Sequence, residues 1–189
     1  MKIRFALALA ACLAVLSLSA GAQPLFDGYL CCNMRTDGSW ISDSNYAESG
    51  KKLIPAGTPV RVTGYGRNRV QVEIAGSKQA IGNDYSRDIE LPAFAQRYVV
   101  TEDPARKIAG FPPKVREAIQ SARITKGMTR EQVLMAMGYP ISSENPRLDV
   151  PVWRMWIGSF SEFQVLFDGA GRVRSVETDP QTRNLVVLD

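Results

Sequence analysis

The stretch that decides the fold runs from Ile124 to Asp179. It begins ITKGMTREQVLMAMGYP (124–140) and continues through VWRMWIGSFSEFQVLFDGAGRVRSVETD (152–179). Thr129 stands where an N-cap belongs, and Gln132 three residues later completes a capping box. Val133, Leu134 and Met137 form one apolar stripe, with Met128 as the staple before the cap. Gly138 follows the last helical residue and Pro140 prevents continuation. A helix of under three turns is not stable alone, so it must dock on something. Three strands in series supply the surface: Val152–Ile157, Glu162–Phe167 and Arg172–Val176. Phe163, Val165 and Phe167 share one face of the middle strand. Asp168-Gly169-Ala170-Gly171 closes the last hairpin, glycine supplying the positive φ that the turn needs.

Upstream, Pro113 suits a helical first turn, and Val115, Ala118, Ile119 and Ala122 fall on one face. Two helices followed by a three-stranded meander predict a two-layer ααβββ unit over 114–189. Pro104, Pro112 and Pro113 mark 104–113 as a linker, with Arg97–Thr101 a last strand before it.

Residues 23–103 read as a small all-β module. Leu25–Arg35 is an apolar run closed by Thr36-Asp37-Gly38, Trp40-Ile41 restarts a strand, and Ser42–Gly50 is a polar loop. Val60 and Val62 alternate with Arg61 and Thr63; Val70, Val72 and Ile74 alternate with Gln71 and Glu73. Lys78–Gly82 pairs back across Gly76-Ser77. Short strands with glycine-rich turns predict a small barrel or sandwich, and the fold class as a whole is α+β.

Two resemblances follow from these residues. The pattern G-M-T-x-x-Q-V-x-x-x-x-G-x-P (Gly127, Met128, Thr129, Gln132, Val133, Gly138, Pro140), with Trp153 and the hairpin Leu166–Val173, resembles the SmpA/OmlA (BamE-like) family of outer-membrane assembly lipoproteins. That resemblance implies the ααβββ fold, a Gram-negative envelope and a protein partner, with the outer-membrane barrel-assembly machinery as the reference case. The chain departs from the family in having a short first strand connection, an extra β module in front and no acceptor cysteine after the expected cleavage site. The segment IPAGTPVRVTGYGRNRVQVEIAGSKQAIG (54–82) resembles bacterial SH3-like domains, which implies peptidoglycan or peptide binding. The tryptophan usual after the late glycine of such domains is replaced by Asn83.

At the other end of the chain, residues 1–22 carry a basic start (Lys2, Arg4), an apolar run of 14 residues from Phe5 to Leu18, and Ser19-Ala20-Gly21-Ala22. This is the layout of a secretory signal, and the run is too short to span a bilayer. Leu9-Ala10-Ala11-Cys12 is an alternative lipoprotein box. The expected location is the periplasm or the periplasmic face of the outer membrane, with no transmembrane span in the mature chain.

The 189 residues carry 23 basic and 19 acidic side chains, a net charge of +4. Setting Lys2 and Arg4 aside with the leader lowers it to +2, too mild to imply nucleic acid. With no histidine in the chain, Ser–His and Cys–His nucleophile systems are excluded. Asp149, Asp168, Glu177 and Asp179 are scattered, with Asp168 and Asp179 reading as turn residues, and no metal, cofactor or phosphate-loop spacing is present. The expectation is a non-catalytic cell-envelope interaction protein without cofactors. The alternatives are a peptidoglycan or glycan binder acting through the SH3-like half, or an inhibitor of a periplasmic or secreted enzyme.

Candidate contact residues are Trp40, Tyr139, Trp153, Trp156 and Phe160. Trp153 and Trp156 point to opposite faces of their strand, so that one enters the core and the other is an exposed anchor or, alternatively, both are covered by the helices and the neighbouring module. A second candidate surface, for anionic lipid or acidic glycan, is the basic region between Lys51 and Arg87, net +5, represented by Arg61, Arg67, Arg69 and Lys78. The alternative there is the solvated face of a sheet. Export would place Cys31 and Cys32 where disulfides form. Adjacent cysteines admit three states: a vicinal disulfide acting as a redox pair, one buried and one peripheral thiol, or an intermolecular bond.

Overall fold

Glycine-rich turns and β-branched alternation organise the larger half. The computed structural model describes residues 23–48 and 50–189; the expected leader, with Cys12, lies outside the described residues. Strands β1 (Asp27–Leu30), β2 (Met34–Thr36), β3 (Trp40–Ser42), β4 (Lys52–Ile54), β5 (Pro59–Gly66), β6 (Arg69–Ile74) and β7 (Ser77–Gly82) lead into helix α1 (Leu91–Tyr98) and β8 (Val99–Val100). They form one sheet in the order β4-β2-β3-β7-β6-β5-β1-β8. The meander β5-β6-β7 and the short hairpin β2-β3 are local. Ala75 (φ 50°) and Gly76 (φ 77°) make the two-residue turn that pairs Ile74 with Ser77. Non-local pairing completes the sheet: β1 runs antiparallel to both β5 and β8, and β3 runs parallel to β7.

The inward residues of this sheet (Leu30, Met34, Ile41, Val60, Val62, Val70, Val72, Ile81) close a core together with Phe94, Ala95 and Tyr98 of α1. The region is therefore not all-β as the strand pattern suggests. The helix α1 has Pro92 in its first turn and buries its apolar face against the sheet.

The smaller half contains α2 (Pro104–Ala109), α3 (Pro113–Gln120), α4 (Arg130–Met137), β9 (Val152–Gly158), β10 (Ser161–Phe167), β11 (Val173–Glu177) and α5 (Pro180–Val186). The sheet order is β11-β10-β9, an antiparallel meander. The helical α2 stands where a linker is expected, because Asp103 accepts the Ala105 N–H and Pro104 occupies the first turn. The same device starts α5, where Asp179 accepts the N–H groups of Gln181 and Thr182. An Asp-Pro pair that reads as a turn is here a helix start.

The capping box of α4 is complete, and Gly138 ends the helix at φ 83°. Met128, Val133, Ala136, Trp153, Phe163, Val165 and Val173 form the second core. Burying this apolar face against the meander is what holds so short a helix.

Buried polar groups hold the two cores together. Asn33 Nδ2 donates to Ile119 O (2.5 Å) and Ala136 O (3.1 Å), its Oδ1 accepts from Ala56 N–H (2.9 Å), and its own N–H donates to Met135 O (2.9 Å). Asn45 Nδ2 donates to Asn33 O (2.9 Å) and Met137 O (2.8 Å), while Ala47 N–H donates to Ile157 O (2.7 Å). The segment Ser42–Asn45, a surface loop by composition, is buried throughout. Its Asp43 carboxylate accepts the N–H groups of Asp84 and Tyr85. Further along the same junction, the Ser142 hydroxyl donates to Asp88.

Candidate functional site

Where the larger sheet ends at β8 and α4 begins, the surface folds into a groove of about 660 Å³. Tyr29, Cys31 and Val100 form one wall, continued by the 101–104 turn. Glu131, Leu134 and Met135, at helical spacing on α4, form the other with Tyr139 beyond it. Arg106 and Lys107 of α2 close one end. A 2.5 Å ion pair from Lys107 Nζ to Glu131 Oε1 bridges α2 and α4. Both side chains are about half exposed, so the pair orients the rim more than it stabilises the fold.

Tyr139 sits edge-on to Tyr98, with ring centroids 5.7 Å apart, and the Arg97 guanidinium lies 4.8 Å from its ring centre. Burial pushes the Tyr139 phenol above its ordinary pKa against the opposing effect of Arg97. Fully buried Tyr98 is pushed up further by the same cause, so both rings stay neutral.

Cys31 and Cys32 are joined as a vicinal disulfide. The pair does not continue a strand: β1 stops at Leu30 and β2 resumes at Met34. Cys31 is half-buried and lines the groove, whereas Cys32 has 0% exposure and belongs to the larger core. The backbone around the pair is fastened on both sides, with Cys31 N–H donating to Tyr98 O (2.9 Å) and Asn33 held as above.

Of the sequence candidates, the groove therefore gathers Tyr139 and Cys31. Trp153 is withdrawn from them. It is fully buried, packs edge-on to Phe167 at 4.8 Å and donates its indole N–H to Leu148 O. Trp156 faces the other way, half-buried; its indole N–H donates to Glu144 Oε2 (2.8 Å) and the Arg154 guanidinium lies 5.1 Å from its ring centre. Trp40 packs against Gly82, where a Cβ would come within 2.1 Å of the ring, and the Arg69 guanidinium lies 4.3 Å from its ring centre. Phe160 stands alone at the β9–β10 tip, 99% exposed.

The four cations do not make one patch. Arg61 pairs with Asp27 at 2.7 Å, and the ladder sets Glu73 opposite both Arg61 and Lys78. Arg67, in the β5–β6 turn, and Arg69 lie at the far end of that hairpin, about 13 Å from Glu73 at the usual strand rise. Sheet pairing thus divides the charge that the sequence groups.

Sequence reasoning missed the α2 wall of the groove and the buried 42–45 segment. Asp103-Pro104 signals the first; no local signal marks the second. No family model, curated protein or solved structure matches the chain.

Proposed function

We propose that this is an exported, non-catalytic cell-envelope protein that docks another envelope protein, with the groove between its two halves as the principal contact and Phe160 as an outlying anchor. The observation that carries the reading is how the motif residues are used. Thr129, Gln132, Gly138 and Gly171 serve as caps and turns, and Val133 and Trp153 as core, which leaves recognition to the surface they hold in place. The order α3-α4-β9-β10-β11 supports the BamE-like reading of the smaller half. The local meander β5-β6-β7 supports the SH3-like reading of the larger one. Apolar Leu134, Met135 and Val100 set among rim charges are the composition of a protein contact with a dry centre and a polar edge.

Pulldown from detergent-solubilised envelopes tests the proposal. Wild type is expected to enrich barrel-assembly subunits, and Leu134→Lys to lose them. Co-sedimentation with purified peptidoglycan in place of that enrichment would replace this reading with glycan binding through the SH3-like half. Capture of a single soluble envelope enzyme, inhibited on binding, would replace it with the inhibitor reading.

A further inference from the structure

The vicinal disulfide places one sulfur in the groove and hides the other. We propose that Cys31–Cys32 is a thiol-exchange site, in which a thiol entering the groove is joined covalently to Cys31 while Cys32 serves as the leaving and resolving group. The step balances. The incoming thiolate RS⁻ attacks Sγ of Cys31 and forms the RS–Cys31 bond; the Cys31–Cys32 bond breaks and its electron pair leaves on Cys32, which takes a proton from water. Attack by Cys32 on Cys31 reverses the step and expels the thiol. Attack by a second thiolate on the R sulfur instead releases RSSR and leaves both cysteines reduced, the two electrons having come from the two thiols.

Three observations favour this course. Only Cys31 lines the groove, and Cys32 has no exposed surface, so attack is directed to one sulfur. The groove, at about 660 Å³, accommodates a tripeptide-sized thiol or a cysteine carried on an extended segment. The rim sets Arg106 and Lys107 beside Glu102, Asp103 and Glu131, a mixed charge that suits a thiol carrying both an ammonium group and carboxylates. The adjacency of the two cysteines keeps the resolving thiol at hand after each attack. This inference stands apart from the docking proposal and needs no partner for its test.

The purified full chain is incubated with reduced glutathione or with a short cysteinyl peptide, quenched in acid and mapped by mass spectrometry. The expected result is a mixed disulfide on Cys31 with Cys32 recovered as a thiol. Formation with glutathione alone assigns a low-molecular-weight thiol, and formation with the peptide alone assigns a protein cysteine. Leu134→Glu, which sets a carboxylate against the incoming thiolate, is expected to slow the reaction several-fold while the circular dichroism spectrum stays that of wild type. Cys32→Ser with oxidised glutathione is expected to accumulate the adduct at Cys31, and Cys31→Ser to form none while folded. Adducts on Cys32, no adduct in either arm until denaturant is added, or two free thiols in the untreated chain would each overturn the proposal.

Discussion

The two halves of the molecule solve the same problem at different sequence range. In the smaller half, α3, α4, the meander and α5 follow one another, and each strand pairs with its neighbour in sequence. Its apolar core centres on Trp153, with Thr125, Gln132, Ser142, Asn145 and Thr182 buried around it. In the larger half, β1 reaches β5 and β8, β3 reaches β7, and a polar segment is taken inside. Local closure lets apolar packing specify the arrangement. Distant closure leaves more alternatives, and here directional hydrogen bonds at the joint help to select one.

The largest effect expected from this contrast is at Trp153. Trp153→Ala removes the largest fully buried side chain and is expected to cost about 3–5 kcal/mol. Trp156→Ala, on the outward face, should cost about 1 kcal/mol, close to the average substitution. Urea unfolding of the two variants measures the gap, and equal costs would remove Trp153 from the centre of the smaller core.

Asn33→Ala addresses the joint. It strands two buried carbonyls and one N–H, and is expected to cost about 3 kcal/mol. Trp40 reports on the larger half and Trp153 with Trp156 on the smaller, so the fluorescence of Trp40→Phe forms, which keep only the smaller half's pair, follows that half while circular dichroism follows the whole chain. Wild type should unfold in one transition and Asn33→Ala in two. One shared transition in both would show that the apolar contacts alone couple the halves.

Thr129→Ala, which breaks the capping box, should cost about 1 kcal/mol and act within the smaller half. Thermal melts measure it.

Asp43 gives a pH signature to the larger half. Burial raises its carboxyl above the ordinary 3.8, so the folded chain keeps this proton at a pH where the unfolded chain has released it. Stability is therefore lost as pH rises from 3.8 to the raised value, the loss is complete above that value, and it is recovered as pH falls back toward 3.8. Asp43→Asn should lack the recovery. Urea midpoints of the two proteins, measured from neutral pH down to that range, should show the wild type rising relative to Asp43→Asn as pH falls; a constant difference would contradict the burial argument.

The smallest structural effect is at Phe160. Phe160→Ser should change stability by less than about 0.5 kcal/mol, because the side chain touches almost nothing. The same variant should weaken partner capture, as measured by pulldown.

This contrast also sets what the sequence can reveal. The capping box, Gly138 and the Phe163–Val165–Phe167 face use interactions spanning a few residues, and the pattern of residue types contains them. Asn33 and Asn45 look like loop polarity, since their partners lie about 90 positions away, at separations of 86 and 92. Asp103-Pro104 and Asp179-Pro180 carry a legible signal that serves turns and helix starts alike, and only the neighbouring packing decides between them. In the groove, Tyr139 and Cys31 were readable as residues, but their meeting depends on the β1–β8 pairing and on how α4 lies against it.

The Ser42–Ala47 segment has a consequence for anyone who would divide this chain. It leaves the larger sheet, crosses to Met137 and Ile157, and returns, much as a stitch passes through two pieces of cloth. Cutting near residue 103 would therefore yield two fragments with torn seams, each presenting polar backbone that the other once covered. Recombination with unrelated modules would have to preserve the thread as well as the pieces.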